Sequence, residues 1–270
     1  MFDCHPGSVA SAHGFPTAAL DVVGSTTMTS LSERFRAWMD EHDASNPATP
    51  AATVLALRDG DSGPEILMVQ RNAKGTFASN WVFPGGKVDP EDFQAGDDIV
   101  DASRRAASRE ALEEADLVVD QSQLVPFSHW MPPLVVPRRF STWFYATEAP
   151  PGTDGDVTID GGEIVDHLWV TPAEALAKHA TGDVQLVPPT WVTLRHLASF
   201  SATSQALRAI ADREPPFYLT KMARKEPPTV MWHGDAGYET GDLTADGPRH
   251  RLAMVPGAWS FEEPTPSPWT

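Results

Sequence analysis

The stretch Arg109-Glu110-Ala111-Leu112-Glu113-Glu114 constrains this chain more than any other. It lies in a helix expected from Asp97/Asp98 to Ala115, opened by acidic residues that can cap free backbone N–H groups. At about 100° per residue, glutamates at i, i+3 and i+4 fall within one sector of roughly 100° on the helix surface. Three carboxylates so placed repel one another. A solvated acidic face tolerates that repulsion, whereas a hard divalent cation removes it, because Mg²⁺ and Mn²⁺ prefer oxygen ligands. Leu112 and Ala115 are expected to point away from the acids and pack on a sheet. Arg109 is placed either to orient one carboxylate or to make an ordinary surface pair. Upstream lies Phe83-Pro84-Gly85-Gly86-Lys87-Val88-Asp89-Pro90-Glu91-Asp92. Its two glycines let backbone approach a ligand and expose a carbonyl, or simply make a turn.

Charge limits the partners. With 20 basic and 37 acidic side chains, the formal charge is −17. That argues against nonspecific nucleic-acid binding and against anionic membrane surfaces, both of which need a basic footprint. A small polyanion can enter only with metal ions or a local basic cluster. One cysteine, Cys4, leaves no internal disulfide and no cysteine-based zinc site, and fits the expected cytoplasmic location. No apolar run approaches the ~18 residues of a membrane span. The N-terminus lacks the basic and apolar regions of a signal peptide. The chain ends Pro268-Trp269-Thr270, without a peroxisomal Ser-Lys-Leu type address. G-x-S-x-G, phosphate-loop and H-E-x-x-H motifs are absent.

Three segments are expected. Residues 1–50 read as a flexible arm, with a short helix over Thr29–Asp43 and a Pro-containing linker; Met28 is a second candidate start. Residues 51–212 read as the core domain. It opens with a hairpin of Thr53–Leu57 and Glu65–Gln70 around a turn at residues 59–64. Further strands are expected at Leu117–Val119, Phe140–Ala146 and Glu163–Val170. Thr171, Pro172 and Glu174 form a helix-start signal. Further helices are expected after Val187-Pro188-Pro189-Thr190 to about Phe200, and from Ser204 to Ala211. Residues 213–270 are Pro- and Gly-rich and read as hairpins packing on the core or on a partner subunit, with a homodimer as the assembly they would serve. His233 and His250 read as structural or exposed, and Arg249-His250-Arg251 as a basic spot without a clear role.

Together, the glycine and glutamate stretches resemble the Nudix box, G-x5-E-x7-R-E-U-x-E-E-x-G-U, with U a bulky apolar residue. Gly86, Asp92, Arg109, Glu110, Glu113, Glu114 and Leu117 take its positions. The chain departs from it in four ways. Asp92 stands for glutamate, and Ala111 is small where the pattern is bulky. Sixteen residues separate Asp92 from Arg109, where the pattern has seven. Asp116 replaces the glycine after the helix, and Asp tolerates the left-handed conformation better than most residues.

The resemblance implies an α/β fold, a Nudix-type α/β/α sandwich with a mixed sheet. It implies a hydrolase that uses Mg²⁺ or Mn²⁺ to cleave the pyrophosphate of a small nucleoside diphosphate derivative. Glu110, Glu113 and Glu114, with the carbonyl of Gly85 or Gly86, would be the metal ligands. Glu163, on a Gly-rich loop, is a candidate general base beside those glutamates, and otherwise a solvated loop acid. Arg71, Lys74, Arg138 and Arg139 are candidate phosphate contacts or ordinary surface pairs. Phe77, Trp81 and Trp143 are candidate base-stacking rings or core residues. The inserted box, the stretch from Val69 and the Val187-Pro188-Pro189-Thr190 run look similar to coenzyme A diphosphatases. That subgroup implies coenzyme A or acyl-CoA as substrate. The alternatives are ADP-ribose, NADH or a nucleotide sugar, or a nucleotide-sensing binding module without catalysis.

Overall fold

The computed structural model describes residues 46–74, 78–153, 159, 162–223 and 226–264. The expected arm with its helix, Phe77, Gly161 beside Glu163, and the residues from 265 onward lie outside them.

β1 (Thr49–Gly60) and β2 (Gly63–Arg71) form the expected hairpin, with Gly60 opposite Gly63. Side chains of β1 alternate between two buried faces. Ala52, Val54 and Ala56 join one apolar cluster, and Leu55 and Leu57 join the other. This double burial is the pattern of a central strand covered on both sides. β6 (Phe140–Glu148) runs parallel to β1 from the Thr49–Phe140 pair to the Leu57–Glu148 pair. On its other edge β1 meets β2 near the turn and β4 (Gly85–Lys87) near its start. β3 (Trp81–Val82) pairs with the end of β2. Residues 81–87 therefore fill the fork where β1 and β2 part.

β5 (Val125–Met131) lies antiparallel to β6, and β7 (Ile164–Val170) antiparallel to β2. β8 (Phe217–Leu219) adds to β5 in parallel and completes a mixed eight-stranded sheet. β5 has no counterpart among the strands expected from sequence. The expected strand at Leu117–Val119 is not formed. Instead the Leu117 N–H bonds back to the Ala111 carbonyl, Ser108 donates to the Val119 carbonyl, and Leu117 is buried against the helix. The chain is folded onto the helix end, and none of the described strands pairs with it there.

α1 (Ile99–Ala115) starts at Asp98, whose carboxylate accepts from the N–H groups of Val100 and Asp101; the Asp101 side chain returns to the Asp98 N–H. It ends at Asp116 in the left-handed region, φ 51°, as the sequence reading expects. Its sheet-facing side carries Ala102, Ala106, Ala107, Ala111 and Ala115. Small side chains let the helix axis lie close to the strands, and Ser103 bonds Tyr145 of β6 at 2.6 Å. Ala111 suits this close contact better than a bulky residue would. The expectation for Leu112 is corrected: it is 47% exposed, because alanines and not leucine form the buried stripe.

The opposite face is covered by α2 (Pro172–Thr181), α3 (Pro188–Leu197) and α4 (Thr203–Ala211). Thr171 and Glu174 make the expected capping box with Pro172 at the first helical position. The architecture is thus helix–mixed sheet–helix. β9 (Lys221–Met222), β10 (Thr229–Met231), β11 (Arg251–Val255) and β12 (Ala258–Glu262) form a second, antiparallel sheet. It packs on the same core: Trp130 of β5 stacks on Tyr218 of β8 at 3.9 Å, and Trp232 meets both edge-on. Arg251 finds a role that the sequence did not show, a buried pair with Asp235. No described helix is long and apolar enough to cross a membrane.

Candidate active site

The glutamates of α1 meet the glycines of β4. The Gly85 N–H donates to Glu114 Oε2 at 2.8 Å. A Cβ on Gly86 would collide with the Glu110 carboxylate, and one on Gly85 with the Ala52 carbonyl and Thr53. Neither glycine has positive φ. What they supply is a bare backbone, close enough to β1 and α1 that no side chain fits between. Thr53 donates to the carbonyls of Phe83 and Pro84, fixing the entry to this strand.

Arg109 organises the acids. Its Nε and Nη2 donate to the two oxygens of Asp92 at 3.2 and 2.9 Å. Nη1 donates to Glu110 at 2.8 Å and to Glu113 at 3.2 Å, and Nη2 also donates to the Lys87 carbonyl at 3.0 Å. The hydrogen bonds to Asp92, and then the hydrogen bond to Glu110, raise the guanidinium pKa above its ordinary value, against the effect of burial. Burial raises that of Glu110, while the hydrogen bond from Arg109 opposes the rise. The enlarged gap in the sequence pattern is absorbed without loss of this contact. Phe93 to Gly96 are exposed between Asp92 and the start of α1, and Arg105 Nε donates to the Asp92 carbonyl at 2.6 Å.

These groups form one end of a cavity of about 630 Å³. Arg71, Gly85, Gly86, Glu110, Glu114, Arg138 and Glu163 all line it, as do Lys87 and Asp89 of the glycine stretch. Arg71 joins two acids, Glu114 at 3.4 Å and Glu163 in close contact. Glu113 is not in the lining and is 57% exposed. Lys74 is exposed outside the lining; its backbone N–H bonds the Asn72 side chain. Trp81 is buried in the core instead, as is Trp143, stacked on His129. Arg139 is buried too, its guanidinium spent on the carbonyls of Pro132 and Asn46. Val187, Pro188 and Pro189 reach the cavity, and so do Thr220, Met222, Val230 and Met254 from the C-terminal segment. No motif in the sequence signals those last four.

Among the described residues no group of three or more His, Cys, Asp or Glu is gathered in a way that could hold a metal. The cavity acids instead bond Arg109, Arg71 and the Gly85 N–H. The donor chemistry still suits a hard cation. Glu110, Glu114 and Glu163 offer oxygen only, on a wall cleared of side chains at two glycines, and the acids around Arg109 outnumber its single charge.

A profile of the NUDIX domain matches residues 47–189, more than half of the chain. The chain belongs to the NUDIX domain family. The crystal structure of a NUDIX hydrolase from Alicyclobacillus acidocaldarius shares the fold, with a TM-score of 0.54 at 22% identity, covering 63% of this chain and all of that one. A Caenorhabditis elegans protein named as nudix hydrolase 7 is 29% identical over 186 residues, 55% of this chain. The match spans 59% of that relative's length. The NUDIX profile takes in β1 to the start of α3 and therefore the whole charged end of the cavity; the wall from residues 220–254 lies beyond it.

Proposed function

We propose that the protein is a divalent-cation-dependent hydrolase of the pyrophosphate linkage in a nucleoside diphosphate derivative, with coenzyme A or acyl-CoA as its substrate. The observation that carries this reading is the meeting of Glu110 and Glu114 with the Gly85–Gly86 strand at one end of a cavity that also presents Arg71 and Arg138. Membership of the NUDIX domain family supports it.

Glu110 and Glu114 would hold Mg²⁺ or Mn²⁺ with a backbone carbonyl of Gly85 or Gly86, and Glu113 would join them by turning from Arg109. When bound, the cation neutralises phosphate charge and makes water more acidic. Arg109 holds the helix acids in register with Asp92. Arg71 and Arg138 grip phosphate oxygens. Glu163, drawn in by Arg71, accepts the proton of the attacking water. The water oxygen bonds to one phosphorus, the bridging P–O bond breaks, and the departing phosphate keeps the bonding pair. Two phosphate monoesters result.

Hydrolysis of coenzyme A, ADP-ribose and NADH in Mg²⁺ and Mn²⁺, with products weighed by mass spectrometry in ¹⁸O-labelled water, tests this. The expected outcome is 3′,5′-ADP and 4′-phosphopantetheine with one labelled oxygen. Turnover of ADP-ribose or NADH alone would replace coenzyme A, and tight binding without turnover of any would mark a nucleotide-sensing module. Mg²⁺ should also raise the unfolding temperature, and Glu110→Gln should abolish that rise.

A further inference from the structure

The two ends of the cavity differ in kind. One carries Glu110, Glu114, Arg71 and Lys87 beside β1 and β4; the other is lined by Met222, Val230 and Met254 from the second sheet, with Val230 paired to Met222. The NUDIX profile covers the first end and not the second. A nucleobase would need polar partners for its edge, since an unpaired buried polar group is costly. The hydroxyl that the C-terminal segment brings to this wall is already engaged. Thr220 Oγ1 accepts from Trp232 Nε1 at 3.0 Å and donates to the Tyr218 carbonyl at 3.4 Å. Trp130 Nε1 is likewise spent on Ser128 at 2.8 Å. Met222, Val230 and Met254 themselves offer a ligand hydrocarbon and thioether surface, in a lining that also holds Thr142, Thr190 and Arg138. The apolar character continues outside: Val136 lines the cavity, while Leu134 and Val135, on the same β5–β6 connection, are 55% and 78% exposed.

We propose that Met222, Val230 and Met254 form a specificity pocket for an aliphatic arm on the diphosphate substrate, the arm leaving across Leu134 and Val135 when it outgrows the cavity. The proposal rests on the diphosphatase reading for the charged end, and on the lining itself for the apolar one. Such an arm gains free energy from burial against this wall, whereas a sugar or base would be desolvated there without compensation.

Calorimetry with methyl, butyl and octyl methylenediphosphonates in Mg²⁺ tests it without requiring turnover. Affinity should rise by up to about four-fold per methylene, and by at least ~100-fold from methyl to octyl. Met254→Ala should reduce that ratio several-fold. Met222→Lys, at an exposed position that will not disturb folding, should reduce it about ten-fold by placing an ammonium beside the chain. Equal affinity across the series overturns the proposal, and so does a ratio that both substitutions leave unchanged. Hydrolysis of the corresponding alkyl diphosphates separates the two claims. A chain-length gain in binding with no turnover of these or of coenzyme A, ADP-ribose and NADH removes the catalytic reading and leaves the arm pocket standing. Turnover without a chain-length gain does the reverse.

Discussion

Among the described residues Arg251 makes its ion pair with Asp235, and both carboxylate oxygens are used. Two guanidinium nitrogens bond the two carboxylate oxygens at 2.6 and 2.5 Å, the His250 and Gly237 N–H groups add to the same oxygens, and the third nitrogen goes to the Leu243 carbonyl. The Asp235 side chain is fully buried. Arg109 meets Asp89, Asp92, Glu110 and Glu113 among the described residues, and the last of these is half in solvent. One positive charge cannot balance four. The first arrangement closes a fold; the second keeps an excess of negative charge beside a cavity, which is what a cation-using site needs. An arginine–carboxylate contact therefore says little by itself. The count of charges and the access of solvent separate the two roles.

The largest expected effect lies at the open arrangement. Glu110→Gln and Glu114→Gln should each lower kcat by ~10²-fold or more at saturating Mg²⁺, with no fall in the unfolding temperature measured without metal. Retained activity in either variant would remove the metal-ligand assignment. Asp235→Ala should instead cost about 3–5 kcal/mol in urea unfolding, because Arg251 is left buried and unpaired. A loss below ~1 kcal/mol would put the pair in the same class as a surface contact. Ala111→Leu should cost about 1–3 kcal/mol and lower kcat as well, by lifting α1 off the strands and moving its acids.

Acid titration probes the closed parts from another side. Burial pushes the pKa of both His129 and His196 down to about 3. In the unfolded chain they take up a proton below ~6.5, so the unfolded state binds more protons between about pH 3 and 6.5. Their contribution to stability is complete above ~6.5 and declines as pH falls through that window, by at most about 1.4 kcal/mol per pH unit for each. Thermal unfolding from pH 7 to 4 checks the sign. His196→Gln should flatten the profile, and an unchanged profile would show that the His196 ring does not stay neutral in the fold. The smallest effect belongs to Leu112→Ala, expected within about 0.5 kcal/mol, since this side chain stands in solvent.

Much of this was legible in the sequence because local rules act alone at certain residues. Asp98 with Asp101, Thr171 with Glu174, and Asp116 in the left-handed region satisfy the ends of helices with neighbours a few residues away. Hydrophobic period gave the β1–β2 hairpin. Two readings failed where period misleads. β5 is buried on both faces from Phe127 to Met131, so it shows no alternation; its polar Ser128 and His129 find partners in Trp130 and Ser141. Leu112 is expected at the sheet because it lies away from the three glutamates, but the buried stripe of α1 is made by alanines and Ser103. Glu110 and Glu114 reach the cavity as a helical pair should, while Glu113 turns to Arg109. The contribution of Met222, Val230 and Met254 depends on strands far apart in sequence, and no local pattern encodes such a meeting.

β8 lies along the outer edge of β5, bringing Tyr218 onto Trp130. A chain that stopped at Asp212 would present β5 with its N–H and C=O groups unmatched and a large indole uncovered. Such a shortened protein should clump through edge-to-edge strand pairing even if its charged end folds as before. The tail residues are then a guard against self-association as much as a wall.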